Sequence, residues 1–243
     1  MINFGKNKTL KNIIFIILLV LFFYYEYQNN VNNSLSKNDD SFVIVNDLNN
    51  IPDYEGKDVI VINNNEPNFD DLAKTTNSFE VYGELDNLGR CSEAYANIGR
   101  DLMPTKERDR ISQVKPSGWK YTKYDFIDGK YLYNRCHLIA YSLTAENANE
   151  KNLITCTRYT NATLMQKYEI MVANYIRKTS NHVLYRVKPI FKGDNLIASA
   201  IQMEALSIED NGKGIKFNVL IYNVEPNVRI DYSNGNSELI NSK

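Results

Sequence analysis

The apolar positions of this chain change period along its length, and each period predicts an element. Residues 13–25 form a nearly unbroken apolar run with no amphipathic repeat. Residues 130–140, rich in Tyr, Leu and Ile, predict a strand and turn. Residues 147–157 read as irregular and then extended through Leu153-Ile154. From residue 160 to 178 the spacing becomes helical, and Leu164, Tyr168, Met171, Val172 and Tyr175 predict one buried stripe. On a wheel of about 100° per residue, Asn161 sits at the edge of that stripe and Glu169 about 80° from it. Both side chains can therefore face a cleft beside the core. Residues 182–191, 196–207 and 215–224 predict strands, with turn signals at Gly193-Asp194-Asn195 and Asp210-Asn211-Gly212. The fold class expected is α+β: an antiparallel sheet with a strand-loop-helix unit against it.

The same pattern divides the chain. Lys6, Lys8 and Lys11 precede the apolar run. Basic residues followed by a hydrophobic stretch read as a signal anchor or a signal peptide over residues 1–27, leaving the rest outside the membrane. The run is short for a full span, which needs about 20 residues. No small-residue cleavage pattern follows it, which favours the anchor. Residues 28–50, rich in Asn, Ser and charge, read as a flexible tether. The folded domain is expected over residues 51–232, and residues 233–243 are expected to form a frayed tail. No internal repeat is visible. An apolar content of 43% is enough to build a core in a chain of 243 residues.

Charge changes the picture through its distribution. The formal net charge of −1 is unlike that of many nucleic-acid-binding domains. Residues 100–188, however, hold 16 Lys and Arg against 8 Asp and Glu, a local balance of +8. Residues 28–99 hold 4 against 13, a balance of −9. A local positive field attracts a polyanion even on a near-neutral molecule. The bland alternative is a solvated face with uneven charges. Cys91, Cys136 and Cys156 form an odd set, so a monomer keeps at least one free thiol. Stability is therefore expected from the core rather than from a disulfide framework, and the spacing does not suit a zinc site.

The chain has two histidines. His182 follows the turn-like Ser180-Asn181 and reads as structural. His137 lies in Asn134-Arg135-Cys136-His137-Leu138-Ile139, followed by Asn152, Asn161 and Glu169. Phosphodiester hydrolysis needs an activated water, charge stabilisation at phosphorus and help for the leaving oxygen. A neutral histidine can take the proton from water. Mg²⁺ prefers oxygen ligands and keeps several waters, so one asparagine oxygen can suffice to hold it. Arginine can grip phosphate oxygens in a two-pronged manner. Taken singly, each residue also has a plain structural role: Asn161 as a helix cap, Asn152 as a loop amide, Glu169 as a solvated helix residue, Arg135 as a sheet brace, Arg108 and Arg110 as loop charges. Trp119 reads as a core anchor rather than a stacking platform. The tyrosines at 121, 124, 131 and 133 fit a groove or half-buried strands equally well.

Together, Tyr133 to Leu138, Asn152, Asn161 and Glu169 resemble the DNA/RNA non-specific endonuclease family, with its ββα-metal (His-Me finger) site and Asp-Arg-Gly-His motif. Gly89-Arg90-Cys91, residues 94–97, 114–119 and 217–219 are similar to a Gram-positive branch that includes membrane-attached DNA-entry nucleases and secreted streptodornase-like DNases. The resemblance covers roughly residues 79–232. It implies His137 as general base and Asn161 as the direct Mg²⁺ ligand, with Mn²⁺ as a substitute. Asn152 would orient the base or the substrate phosphate, and Glu169 would hold metal-bound waters. Arg135 would shape the site or contact phosphate, and Arg108, or its neighbour Arg110, would stabilise the transition state. The substrate implied is DNA, with RNA as a further candidate, at the outer membrane face or outside the cell. Nothing resembles a sequence-reading element, so cleavage is expected to ignore base sequence.

Two positions depart from the family motif. Asn134 stands for Asp and loses the charge, and Cys136 stands for Gly, which puts in doubt any conformation only glycine tolerates. A buried, inert thiol is expected at Cys136. These departures leave one alternative of another class open: a catalytically inactive, surface-anchored nucleic-acid-binding module. A toxin-like nuclease would need an immunity partner, of which the sequence carries no sign.

Overall fold

The computed structural model describes residues 51–240, so the expected signal segment and tether lie outside the described residues. Ten strands organise this part: β1 (Val59–Val61), β2 (Phe79–Tyr82), β3 (Ala94–Ile98), β4 (Tyr133–His137), β5 (Leu153–Thr157), β6 (Val183–Ile190), β7 (Ala200–Ser207), β8 (Lys216–Tyr222), β9 (Val228–Asp231) and β10 (Asn236–Leu239). Six make an antiparallel sheet in the order β1-β8-β7-β6-β3-β2. β4 and β5 form a separate antiparallel hairpin, and β9 and β10 another. A short helix α1 (Tyr141–Thr144) follows β4, and α2 (Gln166–Thr179) follows β5 through a π-helical turn, Thr160–Met165.

The sheet places its apolar side chains by alternation. Ala94, Ala96 and Ile98 on β3, Val183, Tyr185 and Val187 on β6, Ile201, Met203 and Ala205 on β7, and Phe217, Val219 and Ile221 on β8 share one buried face. That face packs against Cys136, Leu138, Ile139 and Leu143 from the β4–α1 segment and against Met165, Val172, Ala173 and Ile176 from the helix. Full burial of side chains such as Ile176 contributes about 1.5–3 kcal/mol each. The opposite face is partly polar. There the buried Glu204 pairs with Arg186 at 2.6 Å, and Arg186 also donates to the Asn68 carbonyl at 2.7 Å. The catalytic candidates therefore sit on the hairpin-helix unit, clamped to a sheet that supplies its floor.

Three expectations change. Met171 is 43% exposed, while Met165, Val172, Ala173 and Ile176 are buried. Upstream of this segment lies the π turn, in which the amide of Gln166 donates to the carbonyl of Asn161, five residues back. The inward stripe of the α segment centres on Val172 and Ile176, and Met171 lies about 100° from Val172 around the helix. Next, the tail expected to fray after Tyr232 returns as β10, where Ser237 pairs with Ile230 and accepts or donates a 2.9 Å bond to the Tyr124 hydroxyl. Finally, Cys136 is not a free thiol. It is bonded to Cys156 across the hairpin, with Cα atoms 5.9 Å apart. The register pairs Cys136 with Ile154 and Asn134 with Cys156, so the two cysteines are diagonal neighbours on one face. Cys91 is the free, buried cysteine.

Candidate active site

β4 delivers His137 as its last residue, and the chain then turns into α1. Asn152 holds this turn. Its side chain is fully buried, its carbonyl oxygen accepts from the Ile139 amide at 2.9 Å, and its amide donates to the Ile139 carbonyl at 3.0 Å. The Leu138 amide donates to the Asn152 carbonyl at 2.9 Å. Asn152 thus spends its whole side chain on the backbone beside His137. Of the two uses expected for it, this arrangement favours orienting the base, because the side chain is fully buried beside the Ile139 backbone.

His137 is 6% exposed. Its Nε2 lies 2.7 Å from the Asn147 carbonyl oxygen, which can only accept, so Nε2 carries the proton. The lone pair is then on Nδ1, which faces an Arg108 guanidinium nitrogen at 3.4 Å. Burial, chiefly, and the Arg108 charge push the imidazole down to about pKa 4, against the raising effect of the Asn147 carbonyl. The ring is therefore neutral at physiological pH, with one defined basic nitrogen.

Arg108 sits on a loop that the surroundings hold in place. The Tyr141 hydroxyl reaches the Lys106 and Glu107 carbonyls at 2.9 and 3.2 Å. Arg135 donates to the Ser112 carbonyl at 2.9 Å and to the Val114 carbonyl. Its guanidinium also stacks over Trp119, 4.0 Å from the ring centre. Arg135 is thus a brace that shapes the site, with its donors turned to the loop. Between the two upstream arginines the geometry distinguishes: Arg108 faces His137 and lines the cleft, whereas Arg110 does neither.

The helix starts directly after β5. The buried Thr157 hydroxyl accepts from the Thr160 amide at 3.0 Å, and the Glu225 carboxylate from the Tyr159 amide at 2.9 Å. With the helix entrance already capped, Asn161 is not needed as a cap, and it lines a cleft of about 370 Å³. Arg108, Asn134, Arg135 and Arg158 share that cleft, with Trp119 and tyrosines 121, 131 and 133 on its walls. Tyr124 instead packs into a side cluster. On α2, Glu169 is half-buried, and burial raises its carboxyl to about pKa 7 against the lowering influence of Arg108. Arg108 is the common member: it touches His137, lines the cleft with Asn161 and lies within electrostatic reach of Glu169.

Among the described residues no group of three or more His, Cys, Asp or Glu could hold a metal. The donors present, an asparagine oxygen on the cleft and the half-buried Glu169 carboxylate, which makes no salt bridge among the described residues, are hard oxygens of the kind that suit a hydrated Mg²⁺ better than zinc. Cys136 adopts extended backbone in β4, so the glycine of the family motif is dispensable here. His182 pairs with Glu209 at 2.7 Å, a structural role as expected. Asn147 and Arg158 were not singled out by the sequence. The first acts through its backbone carbonyl, which no side-chain pattern reveals. The second stands three residues before Asn161, a helical spacing that could have flagged it.

A strand hairpin feeding a helix, with a buried neutral histidine on the first strand and an asparagine on the first helical turn, defines the ββα-metal nuclease class. The DNA/RNA non-specific endonuclease family model matches residues 70–208, and the chain belongs to that family. Among solved structures, NucA from Streptococcus agalactiae with magnesium ion bound is 26% identical, with a TM-score of 0.67 over 89% of this chain and 96% of that one. Sda1 nuclease with bound zinc ion is 28% identical, with a TM-score of 0.55 over 68% of this chain and 81% of that one. The chain is a nuclease of mixed α and β architecture.

Proposed function

We propose that this protein is a divalent-metal-dependent endonuclease that hydrolyses DNA and RNA without regard to sequence. His137 Nδ1 is the general base: the bond from Nε2 to the Asn147 carbonyl fixes the tautomer that leaves Nδ1 free, and this observation carries the reading. Asn161 would hold the metal through its side-chain oxygen, with Glu169 as the nearby carboxylate for the metal's waters. The chemistry such a cation, Mg²⁺ or Mn²⁺, would supply is neutralisation of charge on the phosphate and the leaving oxygen. Arg108 pairs with the phosphate as charge accumulates, exchanging its long contact to His137 for the substrate. The attacking water then occupies the side of the ring that Arg108 vacates, where Nδ1 takes its proton. Arg135 and Asn152 keep the loop and the base in register, and Arg110 adds to the positive approach.

The enzyme acts on the outer face of the membrane or beyond it. Two features support this: the basic-then-apolar residues 6–25, and the Cys136–Cys156 bond, which belongs to an oxidising compartment. Among the described residues no helix is long and apolar enough to cross a membrane. The deciding experiment is cleavage of supercoiled plasmid with Mg²⁺ and with EDTA, wild type beside His137→Ala. Metal-dependent nicking that disappears in the variant is expected. DNA binding without cutting by the wild type would instead make the protein an inactive binding module.

A further inference from the structure

The cleft that Asn161 and Arg108 open onto has more aromatic surface than phosphate chemistry needs. Trp119, Tyr121, Tyr131 and Tyr133 contribute to its walls. These rings are not equivalent. Tyr133 is buried and its hydroxyl is bonded to the Gly235 carbonyl at 3.1 Å. One face of Trp119 is covered by the Arg135 guanidinium, which is itself fixed by the loop carbonyls. Lys123 stands over Tyr131, 4.6 Å from its centre. Tyr121 is different. It is 64% exposed, and its one aromatic neighbour is Trp119, met edge-on at 5.7 Å and 90°. Among the described residues no other aromatic ring meets Tyr121, and its exposure leaves most of the side chain accessible on the cleft wall.

An exposed tyrosine ring on a rigid support, beside three arginines and next to the reacting centre, matches one kind of occupant. A nucleobase has a π-face of any sequence, and stacking on an aromatic ring is sequence-tolerant. Arg108 supplies countercharge for the strand that carries that base, beside Arg135 and an Arg158 paired with Asp128 at 2.7 Å. A base inside a duplex cannot present its face, because its neighbours in the stack cover it, and extruding it costs a few kcal/mol. From these observations we infer that Tyr121 is a stacking platform for an unpaired base of the substrate strand, making single-stranded or locally opened nucleic acid the substrate class this site handles best. The inference rests on the proposed catalytic reading only for the placement of the scissile phosphate near Asn161 and Arg108.

The test uses the full chain with its metal chelated, so that nothing is cut. The probe is a single-stranded oligonucleotide carrying 2-aminopurine, whose fluorescence falls when the base stacks. Wild type is expected to quench the probe and to bind the duplex of the same sequence more weakly. Tyr121→Ala should lose the quenching and weaken single-strand binding about tenfold or more, while Tyr121→Phe keeps both. On an oligonucleotide with abasic positions, wild type and Tyr121→Ala should bind alike. With Mg²⁺ present, Tyr121→Ala should raise KM on single strands and leave kcat nearly unchanged. Equal binding by wild type and Tyr121→Ala, or a loss that persists on abasic strands, overturns the platform. If plasmid cleavage fails but Tyr121-dependent quenching stands, the catalytic reading falls and the subsite survives. If cleavage works and Tyr121→Ala is silent, the reverse holds.

Discussion

At the scale of single residues, the site depends on two ionisable groups shifted in opposite directions by the same cause. Burial disfavours the charged form of each, lowering His137 to about 4 and raising Glu169 to about 7. The consequences for stability have opposite signs. For His137 the unfolded state binds more protons than the folded state between about pH 6.5 and 4, so its contribution is lost as pH falls through that window. For Glu169 the folded state holds the extra proton between about 4.5 and 7, so its contribution is lost as pH rises through that window. Glu169→Gln should therefore stabilise the metal-free protein at pH 8, by about 1–3 kcal/mol, while lowering Mg²⁺-dependent cleavage; chemical denaturation at pH 5 and 8 checks the first part. An unchanged denaturation midpoint at pH 8 would contradict the buried carboxylate. His137→Ala should cut kcat by about 10²-fold or more. Asn161→Ala should abolish the rise in Tm that saturating Mg²⁺ gives the wild type, since a ligand that binds only the folded state stabilises it.

At the scale of elements, the β4–β5 hairpin is the unit on which the site is mounted, and two devices stiffen it. The Cys136–Cys156 bond closes a loop of sequence separation 20 and ends one residue before the base. Replacing both cysteines by serine should lower stability by about 3 kcal/mol, read as a lower midpoint in urea. Reductant should produce the same shift in the wild type and none in the double variant. Asn152 is the second device. Asn152→Ala leaves the Ile139 amide and carbonyl unpaired in a buried turn, at a cost of about 1–3 kcal/mol for each. If Asn152 served only a surface loop, its removal would leave the midpoint unmoved. The π turn is the third particular of this unit. Asn161 lines the cleft from this turn while the following α segment keeps its own inward stripe, so a cleft-lining amide and a continuous core share one helix.

At the scale of the whole molecule, the uneven charge matters more than the sum. The local balance of +8 over residues 100–188 carries the site, while the chain as a whole has a formal charge of −1. Substrate binding through phosphates should therefore fall steeply with salt, and KM should rise across a titration from about 50 to 200 mM. A flat profile would mean that the approach is not electrostatic.

What could be read directly from the chain was whatever depends on local pattern or on chemical type. Alternation predicted β6, β7 and β8 because a sheet with one buried face demands period two. The helical repeat predicted the helix over residues 160–178, and the set His137, Asn161 and Glu169 pointed to its chemistry because only such groups supply a base and hard oxygen ligands. Tertiary structure decided the rest. Which nitrogen of His137 is basic depends on a backbone carbonyl ten residues away, and which arginine serves depends on where the Tyr141 hydroxyl and Arg135 hold a loop. The Cys136–Cys156 bond depends on hairpin register, and the exposure of Met171 on which side of the helix meets the sheet. The physical reason is common to all of these. A side-chain pattern records which face of an element is buried, but backbone acceptors, register and loop anchoring exist only once distant segments have met.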